Sequence, residues 1–131
     1  MVVRIVRLGS PRAPDEGLRL GTVRRPPRGV PKAQFAARDF YDVWLPALAP
    51  TAALVKMALT AAAERDDKAW KQFVVRYRRE MNEPEARHLL DLLAAMSHHS
   101  SFSVGCYCED EAHCHRSVLR ALLGERGAGM A

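Results

Sequence analysis

The chain has 131 residues, 48% of them hydrophobic, enough to build one core without disulfide or metal staples. Twenty Lys and Arg against fifteen Asp and Glu give a net charge of +5, no apolar run approaches the roughly 18 residues that cross a bilayer, and three clustered cysteines cannot staple distant loops. These properties exclude a membrane-spanning chain and a secreted disulfide scaffold, and they predict a single globular domain over residues 1–124, cytoplasmic, with reduced thiols and no membrane partner.

Chain order begins with VVRIVRL (2–8), rich in β-branched residues and read as a buried strand with Arg4 and Arg7 near its ends or on a wet face. GSPRAPDEG (9–17) is loop chemistry, and LRLGTV (18–23) is a second short strand that runs into RRPPRGVPK. Three prolines restrict that basic loop and hold Arg24, Arg25, Arg28 and Lys32 in less mobile positions than a Gly/Ser loop would. Residues 1–38 carry nine Lys or Arg against two acids, so the basic character belongs to this end. Such a field favours an anionic partner, whether nucleotide, phosphorylated metabolite or nucleic acid, although a solubilising surface has the same composition.

From residue 39 the pattern turns helical. DFYDVWL (39–45) predicts a short helix stopped before Pro46, and the alanine-rich stretch at 50–65 a longer one capped by Thr51. Next, Trp70, Phe73, Val74, Tyr77 and Met81 form one apolar stripe behind Asp66 and Asp67, which suit a helix N-terminus. PEARHLLDLLAAM (84–96) predicts a helix with Pro at its first position and Leu89, Leu92, Leu93 and Met96 inward. FSVGCY (102–107) reads as the last strand and HRSVLRALL (115–123) as the last helix, with Val118, Leu119, Leu122 and Leu123 inward. Strands at both ends with helices between them predict a small, mainly parallel sheet flanked by helices. Residues 125–131 have no pattern that would hold them and are expected to fray.

GCYCEDEAHCHRSVL (105–119) contains every cysteine of the chain together with His113, His115 and Arg116. It falls where the last strand turns into the last helix, and ligands of open α/β sheets bind at the carboxyl ends of strands. Cys106 and Cys108, two apart on a strand, share one face. Zinc on Cys106, Cys108, Cys114 and either His113 or His115 is one reading, but four ligands from nine residues is cramped beside the usual paired knuckles. A second is a reactive Cys114 at a helix start beside His115 and Arg116, opposed by the charges of Glu109, Asp110 and Glu111. A third is an anion pocket made by Arg116, the free N–H groups of the helix start and the basic loop. The plainest is that Cys106 and Cys114 only pack and Cys108 is incidental. His88, His98 and His99 read as ordinary surface residues.

Together, DEGLRLGTVRRPPRGVPK (15–32), APTAAL (49–54), AWKQFVVRYRREM (69–81) and the cysteine stretch resemble the YeaO-like family, domain of unknown function 488, over roughly residues 3–123. Gly17, Arg19, Arg25, Pro27, Arg28, Gly29 and Lys32 match the first family motif, and Cys106, Cys114, His115 and Arg116 match a second. The chain departs from the first at Thr22 and Pro26. The resemblance implies a compact α/β fold with a pocket between the two motifs.

The function expected from these residues is binding of a small phosphorylated or nucleotide-like anion by Arg25, Arg28, Lys32 and Arg116, with Cys106 on the pocket wall. Any thiol chemistry would use Cys114 as nucleophile and His115 as base, without metal or cofactor. The competing expectation is a non-enzymatic nucleic-acid-binding or regulatory module using the basic face.

Overall fold

Val3–Arg7 (β1), Leu18–Gly21 (β2), Val43–Trp44 (β3) and Phe102–Cys106 (β4) assemble into one sheet in the order β1-β4-β2-β3, seen in a computed structural model that describes residues 1–131. All three pairings are parallel, so every strand ends on the same side. Parallel strands need long crossovers, and the helices Ala52–Glu64 (α1), Asp67–Met81 (α2) and Pro84–Met96 (α3) lie in the connection from β3 to β4, with His115–Glu125 (α4) following β4. No helix is long and apolar enough to cross a membrane. The expected α/β sheet flanked by helices is the architecture observed.

Alternation along the strands separates two faces. Val3, Leu20, Phe102 and Val104 face the helices and join Phe73, Tyr77, Leu90, Leu119 and Leu123 in one core. On the opposite face lie Arg19 and Ser103, both buried, beneath the loops 9–17 and 35–42. Gly21 stands among them because a Cβ there would meet the Tyr41 ring at 2.4 Å.

α2 takes the predicted register. Asp66 caps it by accepting from the Ala69 N–H at 3.0 Å, and Phe73, Tyr77 and Met81 are buried. The Tyr77 hydroxyl donates to the Leu48 carbonyl at 2.6 Å. Tyr77→Phe would leave that buried carbonyl without its partner, an expected loss of about 1–2 kcal/mol in urea unfolding.

Four local expectations differ from what forms. Residues 39–45 are no helix: Asp39 takes a left-handed φ of 63°, Val43–Trp44 pairs with β2, and Trp44 Nε1 donates to the Val23 carbonyl at 2.7 Å. Seven residues of mixed apolar pattern fit either period, and the free edge of β2 decides. Thr51 does sit at the start of α1, but its hydroxyl donates to Glu80 of α2 at 2.8 Å instead of capping its own helix. α3 buries Ala86, Leu90, Leu93 and Ala94, leaving Leu92 and Met96 exposed, because the small alanines allow that face to approach its neighbours. Residues 127–131, expected to fray, run alongside β1: Val3 N donates to Gly129 O at 2.7 Å and Ala131 N to Val3 O at 2.9 Å, with Met130 against the core.

Candidate functional site

At the carboxyl ends of β2 and β4 the chain leaves the sheet at Thr22 and at Cys106, and α1 leans over the gap. The result is a cavity of about 500 Å³ whose wall includes Val23, Arg25, Val55, Lys56, Phe73 and Tyr107, with Cys106, Cys108, Cys114 and His115 at its sulfur-bearing end. Arg24 also lines it, but its guanidinium is taken by the carbonyls of Ala49 and Pro50 at 3.0 Å each, which ties the basic loop to the entry of α1.

Cys106 is the last residue of the fully buried β4, and Cys114 occupies the extended position immediately before α4. Both thiols are 2% exposed, while Cys108 between them is half-buried. His115 opens α4. Its Nε2 lies 2.7 Å from the Thr22 carbonyl, an acceptor only, so Nε2 carries the proton and Nδ1 is left with its lone pair. That Nδ1 faces Cys114 Sγ at 3.8 Å. Tyr77 supports the imidazole edge-on at 5.6 Å. The main-chain carbonyl of Thr22 thereby sets the histidine tautomer, while the Thr22 hydroxyl donates to Gly105 O at 3.0 Å.

The three sulfurs act on one another. Hydrogen bonding with Cys106 and Cys114 holds the Cys108 thiol well below the ordinary thiol range, against burial and with help from the Arg116 charge. Hydrogen bonding to Cys108 and Cys114, with burial, pushes Cys106 well up. Arg116 is 3% exposed and stands behind the thiols: it donates to the Cys108 carbonyl at 2.6 Å, interacts with Cys114, and leaves its Nε without a partner.

The acidic turn, which on sequence opposes a reactive sulfur, is otherwise engaged. Asp110 pairs with His113 at 2.7 Å, Glu111 with Arg120 at 2.7 Å, and Glu109 reaches Arg7 at 3.5 Å. His113 is therefore the partner of an aspartate and stacks edge-on against Trp70 at 5.7 Å.

Of the residues singled out on sequence, Arg25, Cys106, Cys114 and His115 meet at one cavity, and Arg116 backs it from the interior. Arg28 and Lys32 are exposed on the loop and do not line it. Cys108, weighed on sequence as a zinc ligand or as incidental, also lines the cavity; Lys56, one lysine on an exposed helix face, carried no signal and was missed. Arg19, matched to the family motif, is not at the cavity at all but in a buried ion pair with Glu16 at 2.7 Å.

One family model matches residues 3–127: DUF488-N3a, described as the active DUF488-N3 subclade. No curated protein and no solved structure matches the chain.

Proposed function

The chain belongs to the DUF488-N3a family, and from that membership and the chemistry of the cavity we propose that it is an enzyme that binds a small anionic ligand and acts on it through its thiols. Cys108 is the sulfur that meets the ligand. Cys114 and His115 stand behind it as the pair that takes up and returns a proton. Arg25 and Lys56 meet the negative group, and the apolar wall around Val55 and Phe73 suits the body of a nucleotide-like molecule. Arg28 and Lys32, on the same loop but outside the cavity, add to the field that draws an anion toward it.

One observation carries this reading. The half-exposed Cys108 lines the same cavity wall as Cys114, and Cys114 Sγ lies 3.8 Å from a His115 Nδ1 that a backbone carbonyl keeps free to accept. An imidazole held in one tautomer beside a thiol, at the floor of a cavity, is the arrangement that nucleophilic sulfur chemistry needs.

Labelling of reduced, chelator-treated protein with iodoacetamide, read by peptide mapping, tests it. Cys108 should be modified first and faster than glutathione. The pH midpoint of that modification should lie below that of glutathione and rise in C114A, which lacks a donor to the Cys108 sulfur. Nucleoside phosphates should protect the wild type and fail to protect a variant carrying R25A and K56A. A Cys108 no faster than glutathione removes the reading.

A further inference from the structure

We propose that Cys106, Cys114 and His115 form a site for one thiophilic divalent cation of the zinc class, with the fourth coordination position turned toward Cys108 and the cavity. The proposal deepens the reading of this cluster as the chemical centre by naming what the cluster holds, and it rests on that reading only for the site's function.

The two sulfurs and the imidazole nitrogen lie within 4.8 Å of one another. Tetrahedral zinc, with Zn–S of about 2.3 Å and Zn–N of about 2.0 Å, needs S···S separations near 3.8 Å and S···N separations near 3.5 Å. Cys114 Sγ and His115 Nδ1, at 3.8 Å, are already close to that spacing. A contraction of at most about 1.3 Å brings the whole set onto a metal.

The surroundings are those of a ligand set. A metal-binding histidine donates its other ring N–H to a carbonyl or carboxylate, which fixes the tautomer and aims the free nitrogen. His115 does this with the Thr22 carbonyl at 2.7 Å. Two buried thiolates would be costly alone, but with a dication they are neutral. Cys108, which lines the cavity with them, can add a third thiolate, and the buried Arg116 guanidinium beside Cys114 offsets its charge. The partnerless Arg116 Nε marks a buried donor next to sulfurs that become strong acceptors once deprotonated. The short spacing that argued against zinc is overcome because the turn at 107–113 folds back and sets the end of β4 against the start of α4.

A cation here would make the thiolates at neutral pH and hold the Cys108 sulfur, or a ligand atom replacing it, at the cavity mouth. The binding energy would also appear as folding stability.

Cobalt(II) titration of reduced, chelator-treated, full-length protein tests the assignment, followed by displacement with zinc. The expected result is one equivalent of tetrahedral cobalt with thiolate charge-transfer bands, which zinc abolishes. C106A, C114A and H115A, each checked for folding by circular dichroism, should lose those bands. C108A should keep one equivalent with weaker charge transfer. Zinc added to the wild type should also raise its urea midpoint, a readout that needs no variant to fold. Folded wild type without cobalt bands overturns the proposal, as do bands that persist in C106A, C114A or H115A. Fast Cys108 labelling without cobalt binding sinks the metal and leaves the thiol reading; cobalt binding with an inert Cys108 in the metal-free protein does the reverse.

Discussion

Glu16→Gln is expected to lower the unfolding free energy by about 3–5 kcal/mol, read as a fall in the urea midpoint at unchanged slope. Arg19 is fully buried and Glu16 nearly so. The guanidinium donates Nε and Nη2 to the two carboxylate oxygens at 2.7 and 2.9 Å, and Nη1 to the carbonyls of Ser10 and Asp39 at 2.8 and 2.7 Å. Ser103 Oγ of β4 donates to the same carboxylate at 2.8 Å. One ion pair therefore fastens two loops to the two central strands. Gln keeps the shape but leaves a buried guanidinium without its counter-charge, and that uncompensated charge is where the cost arises.

The same pair sets part of the acid response. Burial alone would raise the Glu16 pKa, but the hydrogen bonds from Arg19 and Ser103 and the Arg19 charge outweigh it and bring the group down from 4.5 to about 2. A carboxylate with a depressed folded pKa contributes stability that is present above its unfolded value. That contribution is lost as pH falls through 4.5 toward about 2. Urea midpoints measured across this interval should therefore fall less steeply in Glu16→Gln than in the wild type; equal slopes would show that Glu16 does not carry the linkage.

Phe73→Ala should cost about 3–5 kcal/mol, the range for removing a buried aromatic side chain. Phe73 is fully buried, stacks on Trp70 at 4.9 Å and on Tyr77 at 5.7 Å, and borders the cavity. The substitution deletes the ring against which Tyr77 rests, and Tyr77 is the edge-on neighbour of His115. Phe73→Leu keeps most of the volume and should cost less than about 1.5 kcal/mol. If Phe73→Ala instead unfolded at the wild-type midpoint, the stacked column would have no role in holding the helices to the sheet.

Much of the architecture was legible because its signals are local. β1, β2 and β4 announce themselves through β-branched runs between turn residues, and α2 through five apolar residues at helical spacing behind Asp66. Where reading failed, a partner elsewhere decided. Val43 and Trp44 became a strand because β2 had an open edge, and the tail was held because β1 offered its backbone and Ser97 its hydroxyl, which accepts from Gly129 N at 2.9 Å. α3 turned the face with Ala86 and Ala94 inward, a choice that depends on how closely a neighbour approaches.

The site divides in the same way. By itself the sequence determined that thiols, an imidazole and a guanidinium gather where a strand becomes a helix, because covalent spacing of a few residues guarantees proximity. It also determined that a basic loop follows β2. Only the tertiary structure decided that Arg25 reaches the cavity while Arg28 and Lys32 do not, that Lys56 joins from α1, and that the acidic turn spends its charges on His113, Arg120 and Arg7. Above all, it decided that the Thr22 carbonyl, 93 positions away along the chain, takes the His115 proton-bearing nitrogen and leaves the other facing the sulfurs. A tautomer depends on what the ring meets in space, and parallel pairing of β2 with β4 is what brings Thr22 there.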